Sequence, residues 1–311
     1  MTANSSPNPV HSEISDAVAT CFGASAVVYI SNKARGGANG RKGSEYEQQF
    51  TTAKVVELIN EQLRSFSGEW PILEEQAFGF VDDLVVSTPA AAHYHQLKNT
   101  KSLSWQDGVH PLVTDFACQV ALCLHIKAAP VKTTLVVSSQ ALCKTMHDTM
   151  PSEIAPHSTV EFFPYVGPSM NKLVLEHAPL RQALSQLTTT SLPKDDELEA
   201  AFGALMIGAK SVQGPASVKT IVSTAQRLYA PALRLFPWDV AEFRLEDQFV
   251  KVLEKIHGLV YGVERGFFHW EAFGMSGVLQ YNCLDAKFTK FQTLVIANSP
   301  SNYDELEKLL P

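Results

Sequence analysis

Acidic, amide and basic side chains lie close together in residues 80–98. Two adjacent acids, Asp82 and Asp83, open an apolar stretch that we predict to be a strand. A short turn follows, and a second predicted strand ends in Gln96-Leu97-Lys98. Metal-dependent nucleases commonly place an acid on one strand and Gln-x-Lys on the next. The segment therefore predicts a site that hydrolyses phosphodiester bonds in nucleic acid.

The chemistry of such a site needs a divalent cation to polarise the phosphate and to help ionise water. Mg²⁺ (or Mn²⁺) takes oxygen ligands, and a nearby lysine stabilises developing negative charge. Alternate side chains on a strand share a face, so Tyr94, Gln96 and Lys98 are expected on one side. By the same rule Asp82 and Asp83 are expected to point to opposite faces. We predict that Asp83 faces the site, with Asp82 as the alternative.

Regular elements on either side of this segment must position its side chains. Residues 44–66 carry apolar side chains every three or four positions, which predicts a helix. Ser44 and Glu47 fit a capping box at its start. Further elements are predicted as a strand over 70–76, a helix over 112–127 and a buried strand over 131–138. The order of helix, strands, helix and strand predicts an α/β fold of mixed α+β type, in which helices flank a mixed sheet.

The second half of the chain has a different pattern. After several prolines between 151 and 168, we predict helices over 176–189, 195–210 and 214–229 and an amphipathic segment over 242–259. We therefore divide the chain into a disordered tail (1–12), an α/β domain (13–150) and a mainly helical domain (151–311). Within the α/β domain, residues 17–30 are predicted as a short helix followed by a strand over 26–30.

Composition indicates a folded globular protein. The 311 residues are 45% hydrophobic and 18% charged. No apolar run approaches the ~20 residues that span a bilayer, and the N-terminus lacks the features of a secretory signal. The five cysteines are odd in number and form no CxxC pair, which favours free thiols in a reducing compartment over a zinc site. We expect a cytoplasmic protein with no membrane partner.

Charge is unevenly distributed along the chain. The net charge of −7 argues against tight stand-alone binding to nucleic acid, whose affinity for proteins comes largely from lysine and arginine. Residues 32–43, however, are rich in glycine and contain no acid. Their basic side chains are Lys33, Arg35, Arg41 and Lys42. This segment is either a solvated loop or a basic arm that binds a phosphate backbone near the site.

Several short motifs occur in a fixed order around the predicted site: Gly43-Ser-Glu-Tyr-Glu47, Glu74-Glu75, Val81-Asp-Asp-Leu84, His95-Gln-Leu-Lys-Asn-Thr100 and Ser104-Trp105. This order resembles the dsDNA endonuclease domain of the PD-(D/E)xK superfamily, which forms the nuclease head of anti-phage effectors of CBASS and Lamassu type. The resemblance covers roughly residues 35–140. It implies a restriction-endonuclease-like fold, double-stranded DNA as the substrate, and a defence complex with an ATPase or sensor subunit as partner.

Residue roles follow from that resemblance. It implies that Asp83 is a metal ligand, that Lys98 is the catalytic lysine, and that Gln96 stands where most members of the superfamily have a second acid. Because glutamine carries no charge, other acids must compensate. The resemblance offers Glu75, or Glu74, and Glu47, although helix capping is a competing explanation for Glu47.

Other interpretations stay open. The chain is alternatively a non-catalytic interaction or regulatory subunit on the same fold, or a nuclease directed at RNA. His93 and His95 share a strand face at metal-like spacing, but that face is opposite to Gln96, so we assign them a structural role. Paired nuclease domains often dimerise, and a homo-oligomer is compatible with the sequence.

Overall fold

A computed structural model of the chain describes residues 9–40, 45–65, 69–126, 130–167, 169–236 and 245–311. These residues form two compact units. The first draws on residues within 1–58, 67–173 and 212–220, and the second on residues within 59–66, 174–211 and 221–311. The boundary predicted at residue 150 lies inside the first unit, because the strand at 158–162 pairs with the sheet of that unit.

Helices account for most of the regular structure. In chain order they are α1 (Pro9–Phe22), α2 (Ala24–Gly40), α3 (Glu45–Ser65), α4 (Leu112–His125), α5 (Gln140–Asp148), α6 (Met170–Glu176), α7 (Ala178–Ser185), α8 (Asp195–Ser211), α9 (Val218–Leu228), α10 (Asp247–Leu253), α11 (Ala286–Asn298) and α12 (Tyr303–Glu307). The predicted helices over 44–66, 112–127 and 195–210 correspond to α3, α4 and α8. None of the helices in the described ranges is long and apolar enough to cross a membrane.

A mixed sheet organises the first unit. Its strands are β1 (Ile72–Glu75), β2 (Leu84–Ser87), β3 (Ala92–Lys98), β4 (Val131–Val137), β5 (Ser158–Phe162) and β6 (Ala216–Ser217). They lie in the order β5-β4-β3-β2-β1-β6. The β1–β2, β2–β3 and β1–β6 pairs are antiparallel, whereas β3–β4 and β4–β5 are parallel. Strand β3 therefore has one antiparallel and one parallel neighbour, and both edges of its backbone are paired.

Helices cover both faces of this sheet. On one face, Phe116 of α4 is fully buried in a cluster with Leu135 of β4, and its ring lies 5.5 Å from that of Trp105. On the other face, the ring of Phe50 from α3 lies 5.6 Å from that of His95 on β3. Full burial of a large apolar side chain contributes roughly 1.5–3 kcal/mol. The predicted mixed sheet flanked by helices is confirmed.

The second unit is mainly helical, as predicted, and it also contains a small antiparallel sheet. Its strands are β7 (Leu259–Glu264), β8 (Phe267–Ala272) and β9 (Met275–Val278), in that order. Helices α10 and α11 pack on them through buried phenylalanines, among which Phe249 lies 5.6 Å from Phe268 and 5.7 Å from Phe291 between ring centroids.

Several local predictions were wrong. Residues 26–30 are not a strand, and 32–40 are not a loop, because both belong to α2. Burial of Ile30 and contacts of Lys33 outweigh the weak helix propensity of the glycines. Strand β5, which follows the first prolines after residue 150, was not predicted. The predicted helix over 176–189 is shorter in the structure, where α7 covers only Ala178–Ser185. Strands β7–β9 were not predicted.

Candidate active site

The two adjacent acids lie in the connection that leads from β1 into β2. The backbone N–H of Ala77 donates to the carbonyl of Asp82 over 2.8 Å, which closes a turn. Gln119 of α4 stabilises that turn, because its Oε1 accepts hydrogen bonds from the backbone N–H groups of Phe80 at 2.9 Å and Val81 at 3.2 Å. Since Asp82 and Asp83 precede the strand, the expectation that they point to opposite faces of a strand was wrong. Both carboxylates take part in one polar cluster.

Gly79 lies where Gln119 contacts the turn. A Cβ atom built on Gly79 lies 2.7 Å from Gln119 Oε1, closer than side chains approach in proteins. The backbone can meet the amide at this distance only when no side chain is present. Gly79 therefore lets helix α4 hold the connection that carries the acids.

Asp83 links this connection to β3. Its Oδ2 accepts a hydrogen bond of 2.7 Å from the backbone N–H of Leu97 and a second one from Gln96 Nε2. The second bond fixes the Gln96 amide with its Oε1 turned away from Asp83. The predicted pair, Asp83 and Gln96, is thus brought into direct contact.

Lys33 of α2 lies at the centre of the cluster. Its ammonium is 3.0 Å from Asp82 Oδ1, 3.1 Å from Gln96 Oε1 and 3.5 Å from Asp115 Oδ2, and it also donates to the carbonyl of Phe80. We call these four oxygens, from Phe80, Asp82, Gln96 and Asp115, the oxygen cage. The four oxygens belong to residues that are 1–4% exposed.

Burial controls the protonation of the cage acids. It raises the pKa of Asp82 to about 6 from an ordinary value of 3.8. Lys33 opposes this shift, whereas the neighbouring Asp83 adds to it. Burial also raises the pKa of Asp115, again against the attraction of Lys33. Both carboxyls are therefore costly to keep ionised even with an ammonium between them.

Tyr29 completes the cluster on the helix α2 side. Its hydroxyl donates to Asp115 Oδ2 over 2.8 Å, and its ring stacks on that of His110 at 3.7 Å between centroids. Burial, followed by the charge of Asp115, raises the pKa of the Tyr29 phenol. The phenol therefore stays protonated and acts as a hydrogen-bond donor near neutral pH.

A cavity of about 510 Å³ opens next to the cage. It is lined by Tyr29, Lys33, Gln96, Lys98, Ser102, Leu103, Ser104, Asp107, His110, Leu112 and Asp115. Gln96 and Lys98 reach it from the same face of β3, as the spacing predicted. The cavity thus brings the Gln-x-Lys motif together with the cage.

The remaining predicted acids lie elsewhere. Glu75 pairs with Leu84, which pairs with His95, so these three side chains share the sheet face opposite to Gln96. Glu74 shares the face of Tyr94 but does not line the cavity. Glu47 of α3 accepts a 3.2 Å hydrogen bond from Gln76 and is likewise absent from the lining.

The predicted basic arm is described in part. Lys33 is inside the cluster instead of in a solvated loop, and its side chain is 20% exposed. Arg35 belongs to α2, but its side chain lies outside the described part of the structure, and Arg41 and Lys42 lie outside it altogether. The structural role predicted for the histidine pair agrees with its surroundings, since burial lowers the pKa of His95 to about 3.

The sequence did not point to Asp115 or Tyr29 as members of the site. A signal for Asp115 exists: it falls among the apolar positions of α4, next to the buried Phe116, where an unpaired acid is costly. Its partner cannot be read from the sequence, because Lys33 is 82 residues away. Tyr29 gives no comparable signal.

The donor set has the chemistry that a hard cation prefers, since it consists of carboxylate, amide and carbonyl oxygens. The Lys33 ammonium occupies the point on which these oxygens converge. Within the described residues, no group of three or more His, Cys, Asp or Glu side chains is arranged to bind a metal.

No protein-family model matches the sequence, and no curated protein matches it. Two solved structures are similar, both of the Acinetobacter baumannii Cap4 SAVED/CARF-domain containing receptor, with the cyclic trinucleotides 2'3'3'-cAAA and 3'3'3'-cAAA. Their sequence identities are 11% and 12%, and their TM-scores are 0.33 and 0.34. Each match covers 57% of this chain and 44% or 47% of the receptor, so it spans less than half of the receptor. A likeness at this level carries no conclusion about function.

Proposed function

We propose that the chain is a metal-dependent DNA endonuclease subunit that hydrolyses phosphodiester bonds. One observation carries the proposal. The acids before β2 and Gln96 of β3 meet in one polar cluster, and Lys98 of the same motif lines the cavity beside it. The order of elements around this cluster, a helix, three strands, a helix and a strand, is the one predicted from the sequence.

The residues at the cavity have distinct roles in this proposal. Lys98 on the wall stabilises negative charge that develops on a phosphate and orients the attacking water. Asp83 positions Gln96 through the hydrogen bond that it accepts. Asp115 and Tyr29 position Lys33. We name Lys98 as the residue that contacts the substrate.

The charge of the cluster supports a requirement for an added cation. Asp82, Asp83 and Asp115 carry three negative charges when ionised, and Lys33 and Lys98 carry two positive ones. The excess negative charge repels a phosphate, so the cavity alone does not attract DNA. A divalent cation reverses that sign, which is why the proposal includes Mg²⁺ or Mn²⁺.

A role in anti-phage defence, under the control of a partner protein, belongs to the same proposal. It is based on the order of the sequence motifs. The net charge of −7 supports control by a partner, because a protein of this charge binds DNA poorly on its own.

Plasmid cleavage tests the proposal. Wild type is compared with Lys98→Met and Asp83→Asn, in Mg²⁺, in Mn²⁺ and with EDTA, and exposed Lys101→Met serves as the matched control. We expect both site variants to lose about 10²-fold or more of the cleavage rate, and EDTA to abolish it. A single-stranded RNA substrate in the same preparation distinguishes an RNA-directed nuclease.

One observation favours the alternative of a non-catalytic subunit. The Lys33 side chain already pairs with the acids of the cage, as in a purely structural ion cluster. Under this alternative, Lys98→Met leaves every measured nuclease rate at background, equal to wild type, both with and without the native partner. Cleavage that is unchanged in both site variants contradicts the proposed site.

A further inference from the structure

We propose that the ammonium of Lys33 occupies a cation site formed by the oxygen cage, and that a divalent cation binds there only after Lys33 has left. Lys33 is then a built-in block of the site. The inference rests on the proposed function in that it concerns the metal of the same cluster. It assigns that metal to Asp82, Asp115, Gln96 and the Phe80 carbonyl, and not to Asp83 and Glu75.

Convergence of oxygens on one point is the first argument. Four oxygen atoms from three separate segments of the chain surround the Lys33 nitrogen, and two of them are carboxylate oxygens. The neutral two are a carbonyl and an amide oxygen, which also bind Mg²⁺ and Mn²⁺ in proteins. An ammonium and a hard metal ion thus compete for the same ligands.

Asp82 provides the second, independent argument. The residue is 2% exposed, and its Oδ1 accepts no hydrogen bond within the described structure. This oxygen faces the Lys33 ammonium at 3.0 Å. A buried carboxylate oxygen turned towards a cation, without a donor, is arranged as a ligand and not as a hydrogen-bond acceptor.

Charge favours exchange of the ammonium for a divalent ion. One positive charge, the Lys33 ammonium, faces the two buried carboxylates of Asp82 and Asp115. A second positive charge at the same point compensates them more fully. Mg²⁺ lies about 2.0–2.1 Å from its oxygen ligands, so the cage must contract around a metal ion.

Lys33 also has a route out of the cage. Its side chain is 20% exposed and lines the cavity of about 510 Å³. The four-carbon stem of lysine is flexible, so the ammonium can rotate into that cavity while α2 stays in place. Binding of a phosphate in the cavity offers the displaced ammonium a new partner, which couples opening of the cation site to the presence of substrate.

Mn²⁺ binding to the purified full chain tests the inference. Free Mn²⁺ is followed by electron paramagnetic resonance in wild type, Lys33→Met and the control Lys101→Met. If Lys33 fills the cage more than nine-tenths of the time, the Lys33→Met variant is expected to bind one Mn²⁺ about tenfold tighter or more. Adding Asp115→Asn to that variant is expected to remove the gain. Equal affinities in wild type and Lys33→Met overturn the inference.

Lysine acetylation of the wild-type protein tests the same inference without the Lys33→Met variant, and so covers the case in which that variant fails to fold. Acetylation of lysine side chains by a soluble amine reagent is quantified by mass spectrometry, with and without a large excess of Mn²⁺. We expect Mn²⁺ to raise the labelling rate of Lys33 about threefold or more, in line with its release from the cage, and to leave Lys101 unchanged. An unchanged rate at Lys33 overturns the inference.

Mn²⁺ affinity and DNA cleavage distinguish the block by Lys33 from the proposed nuclease function. Tighter Mn²⁺ binding by Lys33→Met without any DNA cleavage supports the block and contradicts the nuclease. Metal-dependent cleavage with equal Mn²⁺ affinities supports the nuclease and contradicts the block.

Discussion

Replacement of Asp82 by asparagine is expected to stabilise the protein at neutral pH. Burial raises the pKa of this carboxyl from 3.8 to about 6, so the folded state disfavours its ionised form. At 1.36 kcal/mol per pH unit, the difference corresponds to about 3 kcal/mol. Asparagine has nearly the same shape and no charge, and it removes this cost while Asp115 and Gln96 still hold Lys33.

The stabilising effect of Asp82→Asn depends on pH. A carboxyl with a raised pKa contributes stability that is fully present below pH 3.8 and is lost as the pH rises through about 6. The free energy of unfolding of Asp82→Asn should therefore exceed that of wild type by about 3 kcal/mol at pH 7.5, and the two should converge near pH 4. Urea unfolding followed by circular dichroism at pH 4, 5, 6 and 7.5 measures this difference.

A matched control is Asp107→Asn, since Asp107 lines the same cavity but is exposed. It should change the free energy of unfolding by less than about 0.5 kcal/mol at every pH. The reasoning is refuted if Asp82→Asn differs from wild type by the same amount at pH 4 and at pH 7.5. It is equally refuted if the variant is less stable at pH 7.5, because the ionised carboxylate then stabilises the fold.

Three further predictions concern the framework of the site. Gly79→Ala should lower the free energy of unfolding by about 1–3 kcal/mol, because the added Cβ displaces the Gln119 oxygen from two backbone N–H donors. In urea unfolding, the control Gly262→Ala should be near neutral, because a Cβ at that position meets nothing within 4 Å. Trp105→Phe removes a 2.8 Å hydrogen bond to a carbonyl of α5 and should cost about 1–3 kcal/mol; an unchanged urea midpoint contradicts this. The imidazole of His95, whose pKa burial lowers to about 3, should stay neutral at pH 5 in an NMR titration, and a midpoint near 6.5 contradicts its burial.

Periodicity in the sequence was sufficient for the elements that carry long apolar patterns. Helix α3 buries Tyr46, Phe50 and Ile59, which recur at helical spacing, and it was predicted to within a residue or two. The shared face of Gln96 and Lys98 followed from strand alternation alone. Where burial of one face determines which positions are apolar, the spacing of those positions along the chain predicts the helix or strand.

Tertiary contacts decided the elements that were missed. The β-branched residues near position 28 suggested a strand, yet they belong to α2, whose Tyr29 and Lys33 contact side chains of the site. Asp82 and Asp83 were placed in a strand because an apolar run follows them, but hydrogen bonds to Gln119 hold their segment as a turn. Neither partner is close in sequence, so no local pattern reports these contacts.

The contacts of Lys33 could not be predicted, because its partners in the site are far away along the sequence. Lys33 is 47 residues from Phe80 and 82 from Asp115. Glu47 and Glu75 were predicted because the resemblance to the nuclease superfamily implied them, and the structure places them away from the cavity. Glu75 lies on β1, which β2 separates from β3, and its side chain is on the sheet face opposite to Gln96.

The pairing of β6 with β1 affects how the chain folds as it leaves the ribosome. Strands β1 to β5 and all members of the polar cluster are complete once residue 162 has been synthesised, whereas β6 begins at Ala216. During synthesis of the intervening 53 residues, from 163 to 215, the outer edge of β1 lacks the partner that later covers Ile72 and Leu73. An open strand edge is a template for pairing with another nascent chain. The short β6 is thus the last strand to pair, and it covers the open edge of β1. Chains whose synthesis stalls before residue 216 are therefore expected to aggregate.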